Sequence, residues 1–527
     1  MATTLNFKDL IDLPQWRTLA SSITATAAAS TICNDERNDA SRDPYLYLLI
    51  NATVFQRYHT RNDEWQTLTS PALAGTYGAG AGSVFVASAG PNGVVAAGCT
   101  TTSIVISTAL PSAVGVNQLA NRGDGAGYKI RIIGNATGSS GKTEERYIVN
   151  NTLGTTPTLT LDSALTFTPA AGDRYEILSG RVLLMSAGTL AAGIVKAYDI
   201  ATNSLVTVTQ TNLPATIGTD SEFIALDELF VPSTRSPGEG FFGNLVATAS
   251  AATTITGQAT GGDAAVLLNE YRNFQIRIVQ DTANPTAVGQ RRIITSHTAG
   301  ASPVYTVPTW TVTPSATATF VIENNNDVLL STTASTTMYS YRMGGFTADG
   351  TWSFTGTVGT NGALAYAVRP GASGAGTFAI PSFGLTLDSA KNARHSYIYW
   401  WRGAAGVVCD LLDIAGAAAI GAWTAAIVYG GSTAATTFTT GTSACYVASV
   451  NTGRYGHINV NATQRFLRFD VLNRVLGPWT YLPYAQGTVA LGEKVATSLF
   501  IDGATKLVFL HAIQSTGSVF WNCAIQR

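Results

Sequence analysis

An all-β fold is what this sequence predicts: an irregular, roughly six-bladed β-propeller with two duplicated small β domains inserted in successive blades. Three observations lead there. A three-strand unit recurs along the chain, a different segment repeats at a nearly constant offset, and the composition is rich in glycine and poor in charge, with 52 glycines and 12% charged residues in 527.

The unit is clearest in residues 45–68. An apolar run (45–50), a polar turn (51–53), an alternating run (54–58), the turn Thr60-Arg61-Asn62-Asp63 and a run opened by Trp65 read as three antiparallel strands. Short stretches of Tyr, Val, Phe and Leu bounded by Asn, Asp and Thr are hairpin signals. The plan returns in 181–214, in 396–429 with Trp423, in 453–482 with Trp479, more weakly in 328–355, and in 497–525, which makes about six units. If Trp65, Trp423 and Trp479 are equivalent, each is expected to be largely buried on the third strand of its unit.

Residues 97–178 and 247–323 differ in character from these units and resemble one another. Tyr128-Lys-Ile-Arg-Ile answers Phe274-Gln-Ile-Arg-Ile and Arg146-Tyr-Ile-Val answers Arg292-Ile-Ile-Thr at a shift of 146, while Thr168-Pro169 answers Thr313-Pro314 and Tyr175-Glu-Ile answers Phe320-Val-Ile at 145. Matched islands at one offset mark an internal duplication. Strand alternation places Ile130 and Ile276 inside and Arg131 and Arg277 outside. The resulting division is an N-terminal docking arm (1–22), propeller (23–96), first insert (97–178), propeller (179–246), second insert (247–323) and propeller (324–527). The arm carries a short helix within 6–20, ended or kinked by Pro14, and the Ala/Thr-rich run 23–32 is an edge strand able to close the ring against the C-terminal blade.

Composition narrows the function classes. Ordinary chains carry about 25% charged residues, so half that value leaves surface to Thr, Ser, Ala and Gly, as faces covered by neighbours do. A net charge of −1 gives no long-range pull on nucleic acid or anionic lipid. No apolar run approaches the roughly 18 residues that span a bilayer, and the start lacks a secretion-signal pattern. Cys33, Cys99, Cys409, Cys445 and Cys523 are scattered, form no CxxC pair, and read as buried free thiols in a reducing cytoplasm.

The search for chemistry returns no catalytic, cofactor-binding or metal-binding residues. The segment 136–143, ATGSSGKT, approximates a phosphate-binding loop but joins two strands instead of opening a helix. Arg122-Gly123-Asp124 reads as a solvated turn, and Asp349-Gly350-Thr351-Trp352 as part of a blade turn. His59, His297, His395, His457 and His511 fall singly on different units. Asp410 and Asp413, three apart on a strand, point to opposite faces and so do not form a carboxylate pair. Arg454, Tyr455 and His457 are the one local hint of a cluster. The chain is therefore expected not to be an enzyme and to need no cofactor.

A kelch-like ring interrupted by duplicated Thr/Ala/Gly-rich inserts, preceded by the arm DLIDLPQWR, resembles structural proteins of tailed-bacteriophage virions. Within that group it is similar to propeller-bearing tail and neck proteins such as the tail nozzle. The resemblance implies a virion protein made in the host cytoplasm, acting by assembly into a ring, in these proteins a hexamer, with other tail or neck proteins. It implies neither sequence-specific nucleic-acid binding nor membrane insertion, and it carries over no site residues. Two alternatives stay open: a host-receptor-binding or adhesin protein using the loops 121–128, 135–142 and 281–290, and, third, a polysaccharide-degrading enzyme.

Overall fold

The computed structural model describes residues 16–526 apart from segments 25–30, 34–44, 51–53, 69–80, 87–88, 111–113, 121–127, 135–138, 140–141, 179–181, 187–194, 200–203, 215–216, 227–240, 258–267, 324–326, 343–351, 355–364, 389–392, 415–420, 432–436, 447–453, 461–462, 482–494, 503–504 and 515–516 and positions 209, 270, 273, 405 and 440. Among the described residues there is no α-helix, and strands pair antiparallel except where Gly430–Gly431 meets Val475–Tyr481. The molecule is all-β, as its residue pattern requires.

Six sheets follow one another along the chain, each laid down in strand order. The first contains Thr31–Cys33, Tyr45–Leu49, Phe55–His59 and Glu64–Thr67; the second Ser83–Val86, Val182–Ser186, Val195–Asp199 and Ser204–Thr207. The third contains Glu222–Ala225, Asp327–Ser331 and Met338–Arg342, to which Ser353 bridges through Ser340. The fourth has Phe378–Asp388, Ala393–Trp401, Cys409–Asp413 and Ala422–Thr424, and the fifth Ser443–Tyr446, Tyr455–Asn459, Arg465–Asp470 and Val475–Tyr481. The sixth has Val495–Asp502, Thr505–Ile513 and Phe520–Gln526, with Trp16–Thr18 as its outer strand.

Each sheet is apolar on both faces because each is packed between two others. On Tyr45–Leu49, Tyr47 and Leu49 meet Phe85, Leu183 and Met185 of the second sheet, whereas Leu46 and Leu48 meet Ile513 and Phe520 of the sixth. On Ala393–Trp401, Tyr399 and Trp401 face the fifth sheet and Ile398 and Trp400 the third. A strand buried on both faces reads as an unbroken hydrophobic run instead of an alternating one. The remaining clusters join second to third and fifth to sixth sheets, so the packing runs from sheet to sheet and returns to its start. The first strands of neighbouring sheets also lie against one another all the way round.

Three expectations are corrected. Trp16–Thr18 is added to the last sheet, so this part of the arm is a strand and not helix, and Trp16 packs against Phe466 at 5.0 Å between ring centres. Of the run 23–32, residues 25–30 lie outside the described residues, and Thr31 and Ile32 pair with Tyr45–Leu49 of the first sheet. Residues 1–15 lie outside the described residues. Trp65, Trp423 and Trp479 are half-buried: Trp65 and Trp423 sit on outer strands, and Trp479 on a strand flanked on that side only at Val475 and Leu476; the fully buried tryptophans are Trp352, Trp400, Trp401 and Trp521. The inserts also begin earlier than 97 and 247, with Ala89–Val94 and Phe241–Ala251 as their first strands.

Both inserts have one topology. In the first, the order is Ala89–Val94, Arg174–Leu178, Lys129–Ile133, Thr143–Asn151, Thr158–Leu161 and Ser103–Val105, and the bridge Val95–Ile106 brings the last back to the first. In the second, Phe241–Ala251, Thr319–Glu323, Gln275–Gln280, Arg291–Ile293 with Ser296–His297, Val304–Thr306 and Thr254–Gly257 follow the same circuit, and the last pairs with the first. The central strand changes partner at equivalent residues, where Ile148 N–H donates to Tyr128 O and Ile294 N–H to Phe274 O, both at 2.7 Å. Each insert leaves the chain between the first and second strands of its sheet, the second sheet for one and the third for the other. Ile130 and Ile276 lie in the two insert cores. Arg131 and Arg277 do occupy the outer face, yet both are buried, because each insert covers that face of the other.

Candidate functional site

The residues that resembled chemistry in the sequence are held in structural contacts. Asp410 is fully buried; Arg402 donates to it from Nε at 2.9 Å and Nη2 at 2.8 Å, Arg369 Nε lies at 3.3 Å, and Ala426 N–H donates at 3.0 Å. Burial pushes its carboxyl up, but the hydrogen bond from Arg402 and the N–H of Ala426 outweigh that and hold it below the usual carboxylate range. Burial brings the Arg369 guanidinium down to about 10 despite Asp410. This group ties the strand Cys409–Asp413 to the chain leading into the fourth sheet. Removing one partner of such a buried pair costs about 3–5 kcal/mol. Asp413 binds Arg272 of the second insert at 3.0 Å, so the two carboxylates serve separate contacts.

Of Arg454, Tyr455 and His457, the first two meet, with the Arg454 guanidinium 5.1 Å over the Tyr455 ring, and His457 stands apart. Arg454 pairs with Asp470 at 2.7 Å, Arg468 stacks over Tyr455 at 4.5 Å, and His457 is buried beside Trp479 with ring centres 4.7 Å apart. In the 136–143 segment, Lys142 N–H donates to Ser139 O at 3.0 Å and Gly134 N–H to Lys142 O at 2.8 Å, which closes a hairpin between two strands. Ser139 Oγ donates to Asp173 at 2.6 Å and Lys142 Nζ lies 5.5 Å over Phe167. Residues 121–127 and 349–351, with the Arg-Gly-Asp triplet and most of the Asp-Gly-Thr-Trp turn, lie outside the described residues. The 281–290 loop is held down: Asp281 accepts from the N–H groups of Asn284 and Ser315 at 2.9 and 2.7 Å. Among the described residues no group of three or more His, Cys, Asp and Glu is placed to hold a metal.

What the structure adds is a surface that occurs twice. At one end of each insert, Asn117 and Asn269 take positive φ (59° and 56°), a conformation Asn tolerates. Their N–H groups donate to the carbonyls of Asn151 and His297 at 3.1 and 3.2 Å. Two residues on, Leu119 N–H donates to Asn151 Oδ1 at 2.9 Å and Tyr271 N–H to His297 Nε2 at 2.8 Å. The adjoining hairpins match as well: Thr152 Oγ1 accepts from Thr158 N–H at 2.8 Å and Thr298 Oγ1 from Val304 N–H at 2.9 Å, and Gly154 and Gly300 both turn at positive φ. Each tip exposes an aliphatic side chain just before the turning Asn, Val116 at 62% and Leu268 at 42%. The hairpin segments 151–157 and 297–303 contain no Lys, Arg, Asp or Glu. A preformed turn with an exposed aliphatic group beside an uncharged hairpin has the chemistry of a protein-contact surface rather than a reaction centre. The sequence reading missed it, because it placed the recognition tips in other loops.

No protein-family model matches this chain, and no curated protein does so either.

Proposed function

We propose that this chain is a structural component of a tailed-phage virion, a tail protein of the nozzle, neck or baseplate region, that acts by assembling with copies of itself and with other virion proteins. On this reading the six sheets form a six-bladed propeller closed by Trp16–Thr18, and the inserts project from it. The observation that carries the reading is the duplicated tip: two equivalent turns, each with an exposed aliphatic side chain, are carried on inserts at the same loop of successive sheets. A duplicated domain retaining the same exposed contact geometry fits repeated docking onto a symmetric partner. The virion assignment itself rests on the resemblance given by the arm and the interrupted ring.

The test is the mass of the purified protein together with its presence in purified particles. A multiple of 55.0 kDa, a ring, is expected. Truncation to residue 15 spares the strand Trp16–Thr18, and the truncated chain is expected to fold but to be left out of particles. A strict monomer absent from particles overturns the proposal; binding of that monomer to host cells replaces it with the adhesin reading.

A further inference from the structure

The outer faces through which the two inserts meet are equivalent faces. Arg131 and Glu176 are cross-strand partners in the first insert, and Arg277 and Val321 hold the same two places in the second. Glu176 accepts from Arg131 Nη1 at 3.1 Å and from Arg277 Nη2, and all three side chains are buried. Beside this triad, Ile133, Val279 and Val321 form a small cluster of their own. Ile133 and Val279 are related by the same shift of 146 as Arg131 and Arg277. Equivalent residues thus meet around a pseudo-two-fold axis, the geometry of an isologous dimer drawn into one chain.

We infer that the inserts form an internal pseudo-dimer and that Glu176 sets its specificity, selecting a second-insert face as the partner of the first-insert face within the same chain. The asymmetry lies at the two places flanking the arginine, where Glu176 and Glu145 of the first insert are answered by Val321 and Arg291 of the second. In a pair of two second inserts, Val321 would stand at both places where the carboxylate is needed, so two Arg277 guanidinium groups would be buried against valine. A charge buried without its carboxylate is strongly disfavoured. In a pair of two first inserts, each Arg131 would already hold its own Glu176 and Glu145 and would draw no carboxylate from its partner. Arg277, whose own cross-strand neighbours are Val321 and Arg291, is therefore the group that takes Glu176 from the other insert, in the manner of a polar group that fixes register. The consequence goes beyond the assembly reading and does not depend on it: the two tips are carried by one rigid unit, and this face is closed to other chains.

Hydrogen exchange on the full-length protein tests the inference. Glu176→Gln is expected to speed amide exchange at least tenfold in both Lys129–Ile133 and Gln275–Gln280, which belong to different inserts, while the remote strand Thr254–Gly257 keeps its rate. Arg277→Leu, the reciprocal probe should Glu176→Gln fold poorly, is expected to accelerate Lys129–Ile133 as well. Arg131 keeps Glu145 at 2.7 Å in either variant. The pair Glu176→Val with Arg277→Leu removes the ion pair that crosses between the inserts, leaves Arg131 on Glu145, and is expected to restore exchange to within about threefold of the parent. Acceleration confined to the insert that carries the substitution, or additive loss in the double variant, overturns the inference.

Discussion

The first and second inserts close the same turn with different side chains, Asn151 in one and His297 in the other, and they are attached to the rest of the molecule differently. In the second insert Ile293 enters the apolar cluster between the third and fourth sheets, and Arg272 pairs with Asp413 of the fourth sheet at 3.0 Å. The position equivalent to Ile293 in the first insert is Tyr147, which is half-exposed with Lys129 Nζ 5.3 Å over its ring. The second insert is thus part of the sheet cycle's core, and the first is joined to the second through Glu176. Duplication has kept the backbone hydrogen bonds and let the outward side chains diverge, because the former are obligatory and the latter are free to take up whatever surface they meet.

The largest effect should come from that difference in attachment. Ile293→Ala removes a fully buried side chain and is expected to destabilise by about 2–5 kcal/mol, with loss of protection in the third and fourth sheets as well as in the insert. Tyr147→Ala, at the twin position, is expected to cost about 1 kcal/mol or less. Denaturant melts of the two variants measure this, and equal costs would mean that the second insert is not anchored in the core.

A middle-sized effect follows from Asn151 against His297. With Nε2 accepting from Tyr271 N–H and Nδ1 donating to Thr298 O at 2.9 Å, the ring is neutral. Burial lowers its pKa to about 4, partly opposed by the Thr298 carbonyl. The folded value lies below the ordinary value of about 6.5, so its contribution is complete above about pH 6.5 and is lost as the pH falls toward 4. That loss amounts to about 3 kcal/mol at most. Exchange around Tyr271 should therefore quicken over this window while exchange around Leu119 does not, and His297→Asn should abolish the difference. His457 and His511, each lowered to about 3 by burial, add acid sensitivity to the sheets over the same window, and theirs continues down toward pH 3.

The sequence made the duplication legible where a residue serves the backbone. Arg146 and Arg292 stand out because each donates from Nε to a carbonyl, Ala164 and Thr309, at 3.1 and 3.0 Å, and from Nη1 to its preceding residue at 2.7 Å. The paired tips were not legible, since Leu119 and Tyr128 are nine positions apart where Tyr271 and Phe274 are three, which shifts the turn out of register. Two first strands, Glu222–Ala225 and Ser443–Tyr446, are only four residues long, too short to show a period, and their burial comes from neighbours distant in sequence. The triad around Glu176 was hidden for a related reason: alternation correctly puts Arg131 on the outer face, and only the meeting of two domains removes that face from water.

The smallest effect on stability should come from the tips, and it is the one that joins the comparison to function. Val116 and Leu268 are exposed, so Val116→Ser and Leu268→Ser should each leave the folded protein within about 0.5 kcal/mol of the parent. If the inserts dock through both tips, losing one aliphatic contact should weaken incorporation into particles and losing both should weaken it by more than the product of the single effects, because two linked sites bind with a shared effective concentration. Quantifying the protein in purified particles against its soluble pool measures this directly. Incorporation unchanged in the double variant, with the melting temperature also unchanged, would remove the tips from the assembly reading and leave the duplication without a contact role.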